Sequence, residues 1–197
     1  MSVPSLLYLA SGSPRRRELL EQLGLELKRV PADIDETPRE GETARDYALR
    51  LAIEKAAAGE AARIAQGLPA APLLAADTTV TQDDELFGKP ENAADARRML
   101  EAFSGRSHRV ITAVAVCDGD TVRTAVSDTE VWFKTLSAAE IDRYLESGEP
   151  FDKAGAYGIQ GRAAVFVERI AGSYTGVVGL PVYETAQLLS GFGYRFP

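Results

Sequence analysis

The sequence has one cysteine, Cys117, and one histidine, His108. A lone thiol closes no internal disulfide, and one Cys with one His cannot make a Cys/His zinc centre. Cys117 lies in an apolar stretch and reads as a buried structural thiol. His108, in Arg106-Ser107-His108-Arg109, stands where a strand begins. A Ser-His-Asp triad would have to use it; a partly exposed histidine without a catalytic task is the plainer reading. Long apolar runs are also missing. None approaches the roughly 20 residues of a membrane helix, and the N-terminus lacks the charged and apolar regions of a secretion leader. The expectation is a cytoplasmic protein with no membrane partner. Positive charge is short as well, with 22 Lys and Arg against 29 Asp and Glu, a net charge of -7. That argues against a general DNA or RNA binder, which needs clustered basic residues on its contact face. One small polyanion remains possible where a few cations gather, with carboxylates holding a divalent metal beside it.

What is present suits one domain over residues 1–197: 45% hydrophobic and 26% charged residues, without repeats or low-complexity tracts. Leu6 to Ala10 reads as a buried strand. Ser13 and Pro14 fit the N-cap and first position of a helix running to about Leu23. Leu25 to Val30 alternates as a strand. Thr43-Ala44-Arg45-Asp46 resembles a capping box with Asp in place of Glu, and opens an Ala-rich helix to about Gln66. Pro72 to Ala76 reads as a buried strand ending at Asp77. A helix follows from Asn92 to Phe103. Val110 to Cys117 and Val122 to Phe133 make a hairpin around Asp118-Gly119-Asp120. Ser137-Ala138-Ala139-Glu140 is a capping box opening a helix to about Ser147. Phe151 to Gly161 is Gly-rich and irregular, Ala163 to Ile170 reads as a strand, and a last helix follows Leu180-Pro181. The order implies a mixed central sheet flanked by helices.

The first chemical candidate is Ser11-Gly12-Ser13-Pro14-Arg15-Arg16-Arg17. A helix start carries unpaired N–H groups and the positive end of the dipole, so it attracts anions. Three arginines there oppose the dipole, and a bound phosphate explains that placement. An ordinary Ser-Pro cap with a solvated basic face is the alternative. GxxxxGK[ST] occurs nowhere, so this is not a Walker loop. Asp77, with Thr78 and Thr79 after it, reads either as a carboxylate at a strand's carboxyl end, where ligands bind in α/β sheets, or as a turn aspartate. Asp33-Ile34-Asp35-Glu36 could offer oxygen ligands to a hard cation, or be a solvated acidic loop. Lys55 alone is a surface lysine on a helix. Lys89 sits in a Gly-Lys-Pro turn that aims its side chain. Gln160 lies between glycines that expose its amide for base recognition.

Taken in order, LASGSPRR (Leu9 to Arg16), Ala76-Asp77-Thr78, Gly88-Lys89-Pro90, LEAFSGRSHRVIT (Leu100 to Thr112) and DKAGAYGIQG (Asp152 to Gly161) resemble the Maf family, also called septum-formation inhibitors. The resemblance implies a mixed α/β fold with a deep cleft, similar to the inosine triphosphate pyrophosphatases, and commonly a homodimer. It implies cleavage of a nucleoside triphosphate to the monophosphate and pyrophosphate with Mg²⁺ or Mn²⁺. By the same resemblance, Ser11, Ser13, Arg15 and Arg16 bind phosphates, Lys55 and Lys89 neutralise the triphosphate, and Glu36 and Asp77 hold metal. Asp77 is also the proton acceptor. Arg15, Thr78 and Gln160 match the family's specificity positions, and the AYGIQG segment (Ala156 to Gly161) looks like the branch acting on dTTP and UTP. Two other readings of the same residues stay open: a phosphatase or nucleotidyltransferase, and a non-enzymatic regulator of cell division that binds a nucleotide as a signal.

Overall fold

The computed structural model describes residues 6–196. In chain order these form β1 (Leu6–Leu9), α1 (Pro14–Glu21), β2 (Glu26–Arg29), α2 (Ala44–Ala65), β3 (Leu73–Gln82), β4 (Glu85–Phe87), α3 (Ala93–Phe103), β5 (Ser107–Asp118), β6 (Thr121–Phe133), α4 (Ala138–Glu146), β7 (Val167–Ala171), α5 (Tyr174–Val178) and α6 (Val182–Ser190). The strands make one seven-stranded mixed sheet in the order β2-β1-β3-β5-β6-β7, with β4 paired to β3. β1 runs parallel to both its neighbours, and the other pairings are antiparallel.

Local chemistry sets most of the helix starts. The hydroxyls of Ser13 and Thr43 and the amide oxygen of Asn92 accept from N–H groups three residues on, which satisfies one orphan donor each. Ser137 and Glu140 form the full reciprocal box. At Thr43 only half of that device is present. Asp46 is too short to reach back to the Thr43 N–H, and its carboxylate takes the Thr43 hydroxyl at 2.7 Å instead.

Alternation along the strands sends side chains to two cores. Tyr8, Leu73, Ala75, Ile111, Ala113, Ala115 and Cys117 pack beneath α2, which presents Ala48, Ala52 and Ala56. Leu9, Leu74, Ala76, Val110, Val114 and Phe133 face the opposite side, under α1, α3, α5 and α6. Gly59 lets α2 lie close. A Cβ there would stand 2.7 Å from Ala10 Cβ, inside any tolerable contact.

Three elements differ from the sequence reading. β3 does not stop at Asp77. β5 pairs with it residue by residue from Leu73 to Thr81, so the polar run Asp77-Thr78-Thr79 is carried as strand by its neighbour's hydrogen bonds. A two-residue turn then reverses the chain into β4. Asp83 and Asp84 hold φ of 51° and 65° there, a conformation that aspartate tolerates better than most side chains. Ala163 to Phe166 belongs to a 3₁₀ turn, and β7 begins only at Val167.

The opposite edge of β3 is divided. β1 pairs at Leu73 and Leu74 and then ends, while β4 pairs from Val80 to Gln82. Between them, residues 75–79 have no ladder partner on that edge. Asp77 therefore faces an opening in the middle of its strand, made by the shortness of β1.

Candidate functional site

That opening leads into a cavity of about 1170 Å³. Ser11, Ser13, Arg15, Arg16, Glu36, Lys55, Asp77, Thr78, Lys89 and Gln160 all line it, from segments spread over most of the chain. They reach it from both faces of the sheet.

On the α2 face, Asp77 is 7% exposed, and Oδ1 accepts from Lys55 Nζ at 2.7 Å. The same ammonium lies 2.9 Å from Glu36 Oε1. Its side chain is 13% exposed, so Lys55 is not a surface lysine. α2 aims it at the carboxylates because the small residues around it let the helix lie against the sheet. Thr79 donates to Asp77 Oδ2 at 3.4 Å, from two residues along the same strand face.

Glu36 belongs to an irregular loop, yet α2 anchors that loop at several points. The Tyr47 hydroxyl donates to the Glu36 carbonyl at 2.8 Å. Arg50 grips Glu42 through two bonds of 2.6 and 2.7 Å and donates to the Thr37 carbonyl at 3.2 Å. The Arg50 hydrogen bonds hold the Glu42 carboxyl down to about 2. Asp35 is spent within the loop, where it accepts the Thr37 N–H and hydroxyl. Of the two, Glu36 is the carboxylate turned to the cleft ammonium.

On the other face, Arg16 is held by three acceptors: Gly179 carbonyl at 2.8 Å, Ser11 Oγ at 3.2 Å and Thr78 Oγ1 at 3.1 Å. Burial pulls the guanidinium below its ordinary value, with Asp77 opposing that pull. Ser11 Oγ also accepts from Ser13 N–H at 3.2 Å. Arg15 turns outward to Asp152 at 3.3 Å, tying the first turn of α1 to the Gly-rich segment. Lys89 is exposed at the cleft wall and has no carboxylate partner among the described residues. The Gly155 N–H on Gly88 carbonyl, at 3.0 Å, fixes its turn.

Gln160 is exposed at the far wall on a loop drawn in tightly. A Cβ at Gly161 would stand 2.3 Å from Glu149 Oε1. Glu149 cannot give way freely, because it accepts from Tyr144 hydroxyl and Arg162 N–H at 3.0 and 2.9 Å. Beneath this loop the phenol of Tyr157 bonds His108 Nε2 at 2.8 Å. His108 is only 2% exposed and stacks on Phe103, so it is a buried core histidine and not a partly exposed one. Burial drives its pKa down to about 3. Cys117 is buried, as expected, and burial pushes its thiol up to about 11.

The model of the family described as "Maf-like protein" matches residues 6–192. The chain belongs to the Maf family. Curated Maf-like relatives include the dTTP/UTP pyrophosphatase of Chromobacterium violaceum, 68% identical over 97% of this chain and 96% of that one. The dTTP/UTP pyrophosphatase of Bordetella parapertussis is 57% identical over 98% and 96%. Among solved structures, the Staphylococcus aureus Ham1 protein matches with a TM-score of 0.43 and 12% identity, over 65% of this chain and 71% of that one.

Sequence reading passed over several groups that line this Maf cleft. Arg29 approaches Gly12, Tyr47 holds the Glu36 loop, and Lys153 donates to the Glu149 carbonyl at 2.7 Å. Residues Val177 to Gly179 also line it, at the end of the short helix α5. Lys153 was visible within the DKAG motif; Arg29 and Tyr47 carry no local signal and become site residues only through packing.

Proposed function

We propose that this protein hydrolyses dTTP and UTP, or modified pyrimidine nucleotides, to the monophosphate and pyrophosphate. The observation that carries the proposal is the meeting of Asp77, Lys55 and Glu36 with the Arg16 side of the cleft through one opening in the sheet. The names of the close relatives support the choice of substrate.

The triphosphate lies between two sets of positive groups. Ser11, Ser13 and the N-terminus of α1 offer neutral donors, Arg15 and Arg16 offer guanidinium groups, and Lys55 and Lys89 offer ammonium groups. Asp77 Oδ1 or Oδ2 takes the proton from the water that attacks the α-phosphorus, while pyrophosphate leaves. Lys55 orients Asp77 through their hydrogen bond, and Gln160 reads the pyrimidine edge.

The donor set suits a hard divalent cation. Glu36 and Asp77 both lie within 3 Å of one ammonium nitrogen, so the two carboxylates already converge on a common point. Among the described residues no group of three or more ligating side chains is poised for metal. Two carboxylates completed by phosphate oxygens and water is how Mg²⁺ is commonly bound. Glu36 and Asp77 would hold Mg²⁺ or Mn²⁺, which when bound stabilises charge on the phosphate oxygens and the leaving group.

The reading extends to one catalytic unit spanning the chain and to a homodimer in the cytoplasm, on the strength of the family resemblance. Among the described residues no helix is long and apolar enough to cross a membrane. Light scattering on purified protein tests the dimer.

The deciding experiment is a screen of nucleoside triphosphates with Mg²⁺, with Mn²⁺ and with chelator. Metal-dependent pyrophosphate from dTTP and UTP is expected. Orthophosphate as the first product, or no turnover of any triphosphate, would overturn the proposal.

A further inference from the structure

Arg16 is one end of a chain of hydrogen bonds that runs inward, away from the cleft. Its Nη2 lies 3.1 Å from Thr78 Oγ1, which is 3.0 Å from Thr112 Oγ1, which is 2.8 Å from the Gly176 carbonyl. Thr78 and Thr112 are register partners across β3 and β5, on the face away from α2. Thr112 is 0% exposed.

Each hydroxyl has one hydrogen, and that fixes the direction of the chain. Arg16 can only donate. The Gly176 carbonyl can only accept, so Thr112 must donate to it. Thr78 then donates to Thr112 and accepts from Arg16. Every donor in the series is used once. A second branch, Arg16 Nε to the Gly179 carbonyl, ends on the same segment. That segment is held against β6 by Ser173 N–H on Thr129 Oγ1 at 2.9 Å.

The bonds account for Nε and for one hydrogen on each terminal nitrogen. One N–H on Nη1 and one on Nη2 remain without a protein partner among the described residues. Unused N–H groups on a guanidinium are strong, charge-assisted donors to phosphate oxygens.

We infer that Thr112 is a positioning residue. Through Thr78 it sets the plane of the Arg16 guanidinium, so that the two unused N–H groups face the phosphates. Thr78 thereby acts on turnover through Arg16. The inference rests on the proposed triphosphate hydrolysis for its catalytic readout and on geometry alone for its binding readout.

The test compares Thr112→Val with Thr112→Ser. Valine keeps the volume and deletes both hydrogen bonds; serine keeps the hydroxyl. Thr112→Val should weaken binding of inorganic tripolyphosphate, measured by calorimetry, about tenfold, and lower kcat/KM for dTTP by at least as much. Thr112→Ser should restore both to within about threefold. The ratio of dTTP to dGTP turnover should stay unchanged in both. In a cycle with Arg16→Lys, Thr112→Val should add almost nothing to the loss, because lysine cannot use the plane that Thr112 sets. Additive losses, a wild-type Thr112→Val, or a Thr112→Ser as impaired as valine would overturn the inference. If Thr112→Val does not fold, Thr112→Ala replaces it in the same cycle. Should the wild-type protein bind tripolyphosphate but cleave no nucleotide, the functional proposal fails while the calorimetry still decides the role of Thr112.

Discussion

Lys55 and Asp77, 22 residues apart, meet at 2.7 Å in a wall where Asp77 is almost closed to solvent. A buried carboxylate is tolerated when a charged donor answers it. Asp77→Asn preserves shape and hydrogen bonding to Lys55 while removing the negative charge. Turnover of dTTP and UTP should fall by at least about 10²–10³, the usual effect of losing one electrostatic group in an active site. Melting temperature should move little. Near wild-type pyrophosphate release from purified Asp77→Asn would refute the assigned role.

Gln160 is exposed on the wall opposite the carboxylates, and no hydrogen bond ties its amide to the protein among the described residues. Gln160→Ala should therefore change which base is accepted and leave phosphate affinity nearly intact. The checks are kcat/KM for UTP, dTTP, CTP and GTP and calorimetry with tripolyphosphate. Equal losses across all four nucleotides, with weaker tripolyphosphate binding, would place Gln160 among the phosphate ligands instead.

His108 gives a stability prediction with a definite sign. Its folded pKa is lowered by burial from 6.5 to about 3. Below pH 6.5 the unfolded chain takes up a proton that the folded chain refuses, so stability falls as pH drops from 6.5 toward 3, by about 1.4 kcal/mol per unit. His108→Phe has no such proton, but leaves the Tyr157 hydroxyl unpaired at a cost of about 1–3 kcal/mol. In urea melts the variant should be less stable at pH 7.5, and the gap should narrow by about 2 kcal/mol at pH 5. A pH-independent gap would mean that His108 titrates normally in the folded protein.

Gly59→Ala reverses a familiar rule. On an open helix surface the change adds about 1 kcal/mol of stability. Here the new methyl would meet Ala10 Cβ at 2.7 Å and Leu73 Cδ1 at 3.1 Å, and overpacking of this kind costs about 1–3 kcal/mol. A lower melting temperature is expected. KM should also rise, because Ala10 leads directly into Ser11. A more stable variant would show that α2 can lift off β1 without penalty.

The helix starts were legible because their causes are local: Ser13, Asn92 and Ser137 bond groups three residues away. The long β5–β6 hairpin was legible for the same reason, since Gly119 supplies the positive φ at its turn. Asp77 was misplaced at a strand end because its continuation through Thr78 and Thr79 depends on β5, more than 30 residues on. α5 escaped because five residues with a central glycine have no periodicity to read. His108 looked ordinary because Phe103, Phe133 and Tyr157, which bury it, come from three other segments. The ten motif residues did all reach one cleft, but the order of the motifs says nothing of which sheet face each approaches from.

The interrupted edge of β3 also works as a gauge. Its jaws are the pair Leu9–Leu74 on one side and Val80–Phe87 on the other. The five residues between them, 75–79, span roughly 17 Å of strand. Because strand register shifts in steps of two residues if side chains are to keep their faces, the aperture can only be reset in increments of about 7 Å. Any relative that widened or narrowed this mouth gradually would have to do so with side chains, since the backbone allows only coarse settings.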